Sequence, residues 1–271
     1  MKVWFITGTS RGFGREWTIA ALKRGDKVAA TARNVDTLED LVTEYGANIL
    51  PIALDVTDRD ADFAEIKLAH DHFGRLDVIV NNAGYGLFGA VEEVSEIEAR
   101  AQIETNLFGA LWVSQAAAPY LRAQGSGHII QVSSIGGVAA FPCLGLYHAS
   151  KWGLEGFSDA LSQELAPFGV HVTIIEPGGF TTDWSGSSSM HATLNPAYDG
   201  IRKARAEGWS KVRRGDPASS AGAILKVVDA ENPPLRLLLG NFAAEYVKTL
   251  YPRKLAEWAA WEDVAKAADG E

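Results

Sequence analysis

The segment TGTSRGFG, Thr7–Gly14, decides how this sequence folds, because it places three glycines between a short apolar run and an amphipathic window. Gly8 permits a sharp turn, Gly12 lets backbone N–H groups approach an anion closely, and Gly14 lets the following helix pack tightly on the strand. The N-terminus of that helix then faces the turn, where its dipole and free N–H groups favour a pyrophosphate. A strand, a glycine turn and a helix in this order predict a nucleotide site.

The alternation of short apolar runs with longer amphipathic windows continues along the chain. The apolar runs are rich in β-branched residues and almost continuously apolar, as in strands buried on both faces of a parallel sheet. The predicted strands are Lys2–Thr7, Lys27–Ala32, Ala47–Asp55, Leu76–Gly84, Gly127–Ser134, Val170–Gly178 and Leu235–Gly240. The predicted helices are Arg11–Arg24, Val35–Tyr45, Arg59–Phe73, Glu93–Gln124 and Tyr147–Phe168. This order predicts an α/β fold, a doubly wound parallel sheet of the Rossmann type with helices on both faces.

Composition limits the class of protein. The chain has 271 residues, of which 47% are hydrophobic, and a net charge of -9. The longest basic run is KVRR at Lys211–Arg214, so we expect no nucleic-acid partner. The single cysteine, Cys143, suits a reducing cytosol, and the scattered histidines have no metal-ligand spacing, so we expect no metal. Without a signal peptide or an apolar run near the ~20 residues that span a bilayer, we expect a cytoplasmic protein with no membrane partner.

The domain organisation follows from the absence of internal repeats and of Pro/Gly-rich linkers. We predict one Rossmann-type domain over residues 1–271. Residues 181–217 include the polar stretch SGSSSMHATLNP, and a loop of that length indicates a substrate lid. Residues 241–271 are predicted to form a helical C-terminal extension that Pro252 breaks in two.

The C-terminal extension also carries large apolar residues at a spacing of three, which are Leu255, Trp258 and Trp261. We expect this stripe to pack on the core of the domain or on a neighbouring subunit. We expect the pocket itself to have apolar walls, with Phe141, Leu144, Trp184, Met190 and Trp209 as candidates.

The end of the second predicted strand selects the nucleotide. NAD sites of this type hold the ribose 2′-hydroxyl with an Asp or Glu about 20 residues past the glycines. This chain has Ala32 and Arg33 there, and Arg11 adds a second cation inside the glycine turn. Two guanidinium groups and no carboxylate favour a 2′-phosphate, hence NADP(H). The alternative is that Arg33 is only a solvated loop charge.

A phenol and an ammonium group lie four residues apart in YHASK, at Tyr147 and Lys151. This spacing places both on one helix face. An ammonium ~4 Å from the phenol at an effective dielectric of ~20 would lower the phenol's pKa by up to about three units. Tyr147 would then exchange a proton near neutral pH. Ser134, at the carboxyl end of a predicted strand, would orient a carbonyl oxygen, and Asn106 would hold a water that links Lys151 to solvent.

Taken together, these motifs resemble the short-chain dehydrogenase/reductase family in its compact single-domain branch. The matching segments, in order, are TGTSRGFG, LDV (Leu54–Val56), NNAG (Asn81–Gly84), Asn106, Ser134, YHASK and PGGFTT (Pro177–Thr182). NNAGYGLFGAVEE (Asn81–Glu93) and IEPGGFTTDW (Ile175–Trp184) resemble 17β-hydroxysteroid and retinol dehydrogenase relatives, which handle apolar substrates. One departure is Phe13, where an aliphatic residue is commoner, and we expect it to affect packing only.

The resemblance implies a set of site residues. The catalytic residues it implies are Asn106, Ser134, Tyr147 and Lys151. The cofactor contacts it implies are Gly8, Ser10, Arg11, Gly12, Phe13 and Gly14 around the pyrophosphate, Arg33 as a mark of NADP preference, Asp55 and Val56 at the adenine, Asn82, Ala83 and Gly84 on the ribose side, Tyr147 and Lys151, and Pro177, Gly178 and Thr182 at the nicotinamide.

The function predicted from the sequence is an NADP(H)-dependent oxidoreductase that interconverts a carbonyl compound and an alcohol. Two alternatives stay open: a dinucleotide-sensing protein without catalysis, and NAD-dependent epimerase or dehydratase chemistry, which uses a similar Tyr/Lys pair. The expected partner is a small, apolar carbonyl or alcohol substrate. The family resemblance also implies a homodimer or homotetramer joined through the helices at Glu93–Gln124 and Tyr147–Phe168.

Overall fold

The computed structural model describes residues 1–186 and 188–270. Ser187, inside the predicted lid, and Glu271, at the end of the predicted extension, lie outside the described residues. The strands are β1 (Val3–Ile6), β2 (Lys27–Ala32), β3 (Ile49–Ala53), β4 (Val78–Asn81), β5 (Leu87–Phe88), β6 (Gly127–Val132), β7 (Val170–Pro177), β8 (Met190–His191) and β9 (Arg236–Leu239). β5 and β8 pair in a small separate sheet, and the other seven strands form a parallel sheet in the order β3-β2-β1-β4-β6-β7-β9.

The helices alternate with these strands. They are α1 (Gly12–Lys23), α2 (Glu39–Tyr45), α3 (Arg59–Phe73), α4 (Glu96–Ile103), α5 (Gly109–Gln124), α6 (Gly145–Leu165), α7 (Asp199–Ser210), α8 (Ala221–Asp229), α9 (Asn241–Ala260) and α10 (Glu262–Ala267). The chain adds β2 and β3 on one side of β1 and then crosses to add β4 on the other side. The carboxyl ends of β1 and β4 therefore flank the switch point where ligands of doubly wound sheets bind.

Both faces of the large sheet are covered by helices. Within β1, Trp4 and Ile6 point to one face, while Val3 and Phe5 point to the other. Buried residues of α1, α2 and α8 pack on the first face, and those of α3, α5 and α6 pack on the second. Strands buried on both sides explain the nearly continuous apolar runs in the sequence. The prediction of a single doubly wound domain is confirmed.

Three local features differ from the sequence predictions. The window Glu93–Gln124 contains α4 and α5 joined by a π-helical turn at Glu104–Phe108. The segment 181–217 is not irregular throughout, since it contains β8 and α7. α7 buries none of its residues, and its mostly polar sequence was not recognised as a helix next to the polar stretch that precedes it. No helix was predicted for α8, which lies between that segment and β9.

The C-terminal extension is helical, but its break is not where the sequence indicated. α9 continues through Pro252, and the chain leaves helical geometry at Trp261. Pro252 has no N–H to donate to the carbonyl of Lys248, one turn earlier. Both residues are exposed, so water can donate a hydrogen bond to that carbonyl instead. The stripe of Leu255, Trp258 and Trp261 is exposed, so its predicted packing on the domain core is wrong, and packing on a subunit stays a prediction. None of the described helices combines the length and apolar composition that a membrane crossing requires.

The first turn of α1 lies unusually close to the glycine turn. A Cβ atom built on Gly14 would lie 2.4 Å from the carbonyl oxygen of Gly8 and 2.5 Å from Nδ2 of Asn82. Both of these atoms belong to the turn or to the strand end beside it, and neither is the mobile end of a long side chain. The contact therefore excludes every residue except glycine at this position.

We predict that Gly14→Ala lowers the free energy of unfolding by roughly 1–3 kcal/mol, because the added methyl group must push apart the turn and the helix. Gly156→Ala is the matched control, since Gly156 lies inside α6 and nothing surrounds its Cβ position within 4 Å. This second change should raise the stability by up to about 1 kcal/mol through helix propensity. Urea unfolding of the two variants measures both effects. Equal effects of the two changes would contradict the contact.

α3 contains a buried carboxyl group, Asp62, whose oxygens have no hydrogen-bond partner among the residues that the structure describes. Burial raises the pKa of Asp62 to about 8, and the nearby carboxylates of Asp58 and Asp55 add to this rise. The folded protein therefore retains a proton that the unfolded chain loses above its ordinary pKa of 3.8. The contribution of the protonated Asp62 to the free energy of unfolding is complete at low pH and is lost as the pH rises towards about 8.

We predict that Asp62→Asn becomes progressively more stable than the wild type between pH 5 and pH 8, because the amide cannot ionise. The gap should grow by roughly 2–4 kcal/mol across this range. Asp60→Asn is the control, because the Asp60 side chain is almost fully exposed. The melting temperature of this variant should change with pH in the same way as that of the wild type. Thermal unfolding at a series of pH values tests this, and parallel curves for all three proteins would disprove the buried-proton interpretation.

Candidate active site

The glycine turn lies at the switch point, and it is fixed there by side chains. Gly8 and Gly12 have φ angles of 69° and 58°, which favour glycine. Asn82, just after β4, donates from Nδ2 to the carbonyls of Thr7 at 2.8 Å and Gly8 at 3.0 Å. The Thr7 hydroxyl accepts from the backbone N–H groups of Asn82 at 2.9 Å and Ala83 at 3.0 Å. Asn82 and Ala83, predicted as ribose contacts, therefore hold the shape of the turn.

Gly84 brings the same loop against the predicted catalytic residues. A Cβ at Gly84 would lie 3.0 Å from Oδ1 of Asn106 and 3.7 Å from Nζ of Lys151. The structure thus places the end of β4 between the glycine turn and the predicted catalytic side chains. A larger residue at this position would have to displace the Asn106 side chain by a few tenths of an ångström.

The segment after β7 returns to the glycine turn from the other side. A Cβ at Gly12 would lie 3.8 Å from the side chain of Thr182, so these two residues face each other across the crevice. Gly178 donates its N–H to the Leu239 carbonyl at 2.9 Å, which fixes the end of β7 beside β9. The predicted nicotinamide end, Pro177 to Thr182, therefore lies opposite the predicted pyrophosphate turn.

The residues predicted at the adenosine end have different environments. Arg33 is exposed and makes no hydrogen bond or ion pair with any described residue. Arg11 precedes the first residue of α1, and its guanidinium lies 3.8 Å from the carboxylate of Asp183. The Asp55 carboxylate accepts from the N–H and hydroxyl of Thr57 at 3.1 and 2.9 Å, so it stabilises its own turn.

Two further predicted cofactor residues, Val56 and Phe13, pack against other side chains, whereas Ser10 is half-buried in the glycine turn. Val56 is buried against the start of α5, where a Cβ on Gly109 would lie 2.7 Å from its methyl group. Phe13 stacks on Trp17 with ring centroids 5.2 Å apart and meets the edge of Phe180 at 5.0 Å. Its side chain thus belongs to the core, as its departure from the family pattern indicated.

Tyr147, Lys151 and Ser134 come together at the carboxyl edge of β6. Tyr147 and Lys151 lie on one face of α6, and both are buried. The Ser134 hydroxyl hydrogen-bonds the Tyr147 phenol, and Ser134 Oγ also accepts from the Gly136 N–H at 2.9 Å. The Lys151 ammonium donates to the Val132 carbonyl at 2.8 Å and lies 6.0 Å from the centre of the Tyr147 ring.

The protonation of this pair differs from the sequence expectation. Burial raises the pKa of Tyr147 to about 12, and the hydrogen bond from Ser134 opposes this only in part. Burial lowers the pKa of Lys151 to about 8, opposed by the carboxylate of Glu155. The expected lowering of the phenol's pKa by Lys151 is therefore wrong for the protein alone. The reason is geometric, because the ammonium is directed at the Val132 carbonyl and desolvation dominates.

Asn106 lies in the π-helical turn between α4 and α5, an irregularity that often marks functional positions. Its side chain accepts from the Tyr85 N–H at 3.0 Å and donates to the Tyr85 carbonyl at 2.9 Å and to Ser150 Oγ at 3.2 Å. Both ends of the amide are thus bonded to protein. Asn106 ties the loop after β4 to α6, and the predicted relay water stays a prediction.

A group of charged residues behind Lys151 was missed by the sequence analysis. Glu155 follows Lys151 by one helical turn, and Arg236 Nε lies 3.1 Å from its Oε2 and 3.8 Å from Oε1 of Glu176. Burial raises the pKa of Glu176 to about 7, and the charge of Glu155 adds to this rise. The spacing of four residues from Lys151 was a signal for Glu155, whereas only the fold brings Glu176 and Arg236 beside it.

An aromatic wall adjoins the Tyr147 phenol. Trp184 lies 4.9 Å from Tyr147 and 5.3 Å from Phe88, measured between ring centroids. Leu144 packs in the same cluster. Among the predicted wall residues, Leu144 and Trp184 are therefore placed beside Tyr147, whereas Met190 is exposed.

Phe141 and Trp209 lie in a second aromatic group beyond His148. Their ring centroids are 5.7 Å apart, and both rings pack near Phe242 of α9. The predicted wall residues are thus divided between two groups, because α9 covers one part of the loop that precedes α6.

Comparison with known proteins agrees with this geometry. The family model for short chain dehydrogenases matches residues 2–192. Oxidoreductase BOA17 of Botryotinia fuckeliana is 44% identical, with 98% of this chain and 99% of that protein covered. The crystal structure of a short-chain dehydrogenase from Streptomyces avermitilis has a TM-score of 0.93 and 38% identity, covering 99% of this chain and 100% of the other. An alcohol dehydrogenase from Thermococcus sibiricus, complexed with 5-hydroxy-NADP, has a TM-score of 0.74 and 28% identity over 88% of this chain and 96% of its own.

These matches cover far more than half of the chain, and they include proteins aligned over nearly their whole length. We conclude that the chain belongs to the short-chain dehydrogenase family of oxidoreductases, whose members use NAD or NADP.

Proposed function

We propose that this protein is an NADP(H)-dependent oxidoreductase that interconverts a carbonyl compound and an alcohol. The observation that carries the proposal is the convergence of the Tyr147 phenol, the Ser134 hydroxyl and the Lys151 ammonium at the carboxyl edge of β6, the strand next to β4 at the switch point. A proton donor, an orienting hydroxyl and a neighbouring cation are the groups that carbonyl reduction requires beside a bound nicotinamide.

The residues around the crevice fit a dinucleotide. The positive φ angles of Gly8 and Gly12 aim backbone N–H groups at the space before α1, and the side chain of Thr182 bounds this space. Bound NADPH supplies the hydride that reduces a carbonyl carbon, and bound NADP⁺ accepts a hydride in the reverse direction. The pyrophosphate would lie against residues Gly8 to Gly14, and the nicotinamide end against Pro177 to Thr182.

The protein's own residues manage the proton. In the reducing direction Tyr147 donates its phenolic proton to the substrate oxygen, and Ser134 orients that oxygen. In the protein alone only the hydrogen bond from Ser134 opposes the raised pKa of Tyr147. We therefore assign the stabilisation of the resulting phenolate to that hydrogen bond and to the positive charge that Lys151 and an oxidised nicotinamide would together bring to the site. With a pKa of about 8, Lys151 is mostly charged at neutral pH, and Glu155 helps to keep it so. In the oxidising direction the phenolate takes the proton back.

Arg33 supports the preference for NADP(H) over NAD(H). It is exposed at the end of β2, and Ala32 and Arg33 occupy the place where an acidic residue would hold a free 2′-hydroxyl. The backbone bond from Thr9 to Thr31 at 2.9 Å brings this strand end next to the glycine turn. Arg11 would assist once its charge is shared between a 2′-phosphate and Asp183.

We predict that Tyr147→Phe retains NADPH binding and loses at least ~10³-fold in kcat, because the phenolic proton is missing. Tyr120→Phe, on α5 beside His70 and away from the crevice, is the matched control and should keep its activity. The measurements are NADPH depletion with a panel of ketones and NADPH affinity by fluorescence. Undiminished turnover in Tyr147→Phe would refute the assigned role.

We predict that Arg33→Asp weakens NADPH binding about ten- to a hundredfold, because one charge-assisted bond to the 2′-phosphate is lost. The affinity for NADH should stay equal or rise, since the new carboxylate can accept from a 2′-hydroxyl. Arg100→Gln removes an exposed arginine on α4 and should change neither affinity. A loss of the same size for NADPH and NADH in Arg33→Asp would contradict 2′-phosphate recognition.

A further inference from the structure

Helix α7 carries two arginines one turn apart, of which Arg202 is paired with carboxylates and Arg205 is not paired with any described carboxylate. Arg202 bonds Oε1 of Glu93 at 2.6 Å, Oδ1 of Asp199 at 2.6 Å and the Asn195 carbonyl at 2.6 Å. Glu93 is itself bonded to the Asn195 N–H, so Arg202 fastens α7 to the loop after β5. The position of α7 is therefore held without any contribution from Arg205.

Arg205 has no acceptor for its charge. Its guanidinium carbon lies 4.8 Å from the centre of the Phe88 ring, and its Nε is enclosed without a hydrogen-bond partner in the described part of the chain. No carboxylate among residues 1–186 and 188–270 pairs with it. Burial lowers the pKa of Arg205, and only the thiol of Cys143 opposes this. An enclosed guanidinium N–H without a partner costs free energy, and an acceptor on a bound ligand would offset that cost.

The groups around Arg205 do not supply the missing acceptor. His148 is close enough for Arg205 to lower its pKa, although burial contributes most to that shift. Both His148 ring nitrogens are occupied, since Nε2 accepts from the Phe141 N–H and Nδ1 donates to the Gly136 carbonyl, each at 2.9 Å. The neighbours of Arg205 are therefore an aromatic ring, a thiol and a neutral imidazole.

Arg205 is connected to the proposed proton donor through two aromatic rings. Its guanidinium carbon lies 4.8 Å from the centre of the Phe88 ring, and Trp184 lies 5.3 Å from Phe88 and 4.9 Å from Tyr147, measured between ring centroids. Leu144 packs in the same cluster, and Cys143 directly precedes it. A substrate whose reacting carbon lies at Tyr147 would need an apolar segment long enough to pass these rings before its charged end meets Arg205.

We propose that Arg205 binds a carboxylate of the substrate, so that the substrate is a carbonyl compound or alcohol whose apolar segment ends in a carboxylate. This inference rests on the proposed oxidoreductase function and narrows its substrate class. A guanidinium matches a carboxylate in shape and charge through two parallel hydrogen bonds. A phosphate monoester carries about -1.5 to -2 charges near pH 7 and needs further cations, and Arg202 is already paired.

The competing explanation is that Arg205 only stabilises the lid by its contact with the Phe88 ring. A cation–π contact at a partly exposed site contributes about 0.5–1 kcal/mol. Loss of such a contact would affect every substrate alike, whether charged or neutral. Recognition of a carboxylate would affect only substrates that carry one, and this difference separates the two roles.

The test uses keto acids of increasing length between carbonyl and carboxylate, each paired with its methyl ester. Wild-type enzyme with NADPH should prefer the acid at a favoured length. Arg205→Met should lower kcat/KM for that acid about ten- to a hundredfold and leave the ester unchanged. Lys203→Met removes an exposed cation from the same helix and should change neither value. An acid-to-ester ratio that is the same in wild type and Arg205→Met overturns the proposal.

Binding gives a second readout that does not depend on turnover. The same acids and esters are titrated into the complex with NADP⁺ by calorimetry. Tighter binding of acid than ester in wild type, lost in Arg205→Met, supports carboxylate recognition even where no member of the panel is reduced. Acids that bind no more tightly than esters to the wild type disprove it. If only the esters are reduced, the proposed oxidoreductase function stands and only the proposed carboxylate recognition is wrong. If acids bind tightly but no member of the panel is reduced, the result counts against the proposed oxidoreductase function.

Discussion

The structure depends on one close approach, that of Gly14 to the carbonyl of Gly8 and the side-chain amide of Asn82. This contact joins the end of β1, the first turn of α1 and the end of β4 in a space that has no room for a Cβ. Because the amide of Asn82 also holds the Thr7 and Gly8 carbonyls, the turn cannot relax outward. The N-terminus of α1 is thereby aimed into the crevice, where its N–H groups favour an anion.

The proposed catalytic groups lie beside the same crevice, but their pKa values are governed mainly by burial. Desolvation favours the neutral forms of both Tyr147 and Lys151, because it raises the pKa of the phenol and lowers the pKa of the ammonium. The reactive pair of phenolate and ammonium is therefore disfavoured in the protein alone. Glu155 acts against this at Lys151, and Arg236 holds Glu155 in place from β9. An ion pair between β9 and α6 thus supports Glu155, whose charge acts on Lys151, while the Lys151 ammonium itself donates to the Val132 carbonyl.

The segment after β7 carries one arginine in an ion pair that anchors it and a second arginine without a carboxylate partner among the described residues. Arg202 and Glu93 form a mostly buried ion pair that anchors α7, and β8 pairs with β5 beside the aromatic wall. Arg205, one turn further along, lies against Phe88, and no carboxylate in the described part of the chain pairs with it. This division of roles on one helix agrees with the proposed binding of a substrate carboxylate, since a residue that binds a charged ligand must not be neutralised by the protein.

The sequence by itself determined the fold class and the placement of Tyr147 and Lys151 on one helix face, because both depend on local spacing. Continuously apolar runs predicted a parallel sheet buried on both faces, and the four-residue spacing of Tyr147 and Lys151 placed them on one face of α6. The strand–glycine–helix order predicted the turn at Gly8. These features survive in almost any packing that the pattern permits, so they can be inferred without coordinates.

Only the tertiary structure decided which charges meet. Glu176 and Arg236 lie on different strands, and nothing in their spacing indicates that they flank Glu155. The raised pKa of Tyr147 could not be inferred from a helix face, because it depends on how completely the surrounding elements exclude water and on the Val132 carbonyl that receives the Lys151 ammonium. The direction of Arg205 likewise could not be inferred, because it depends on the contacts of α7 with a distant segment, which are the ion pair of Arg202 with Glu93 and the contact of Arg205 with Phe88.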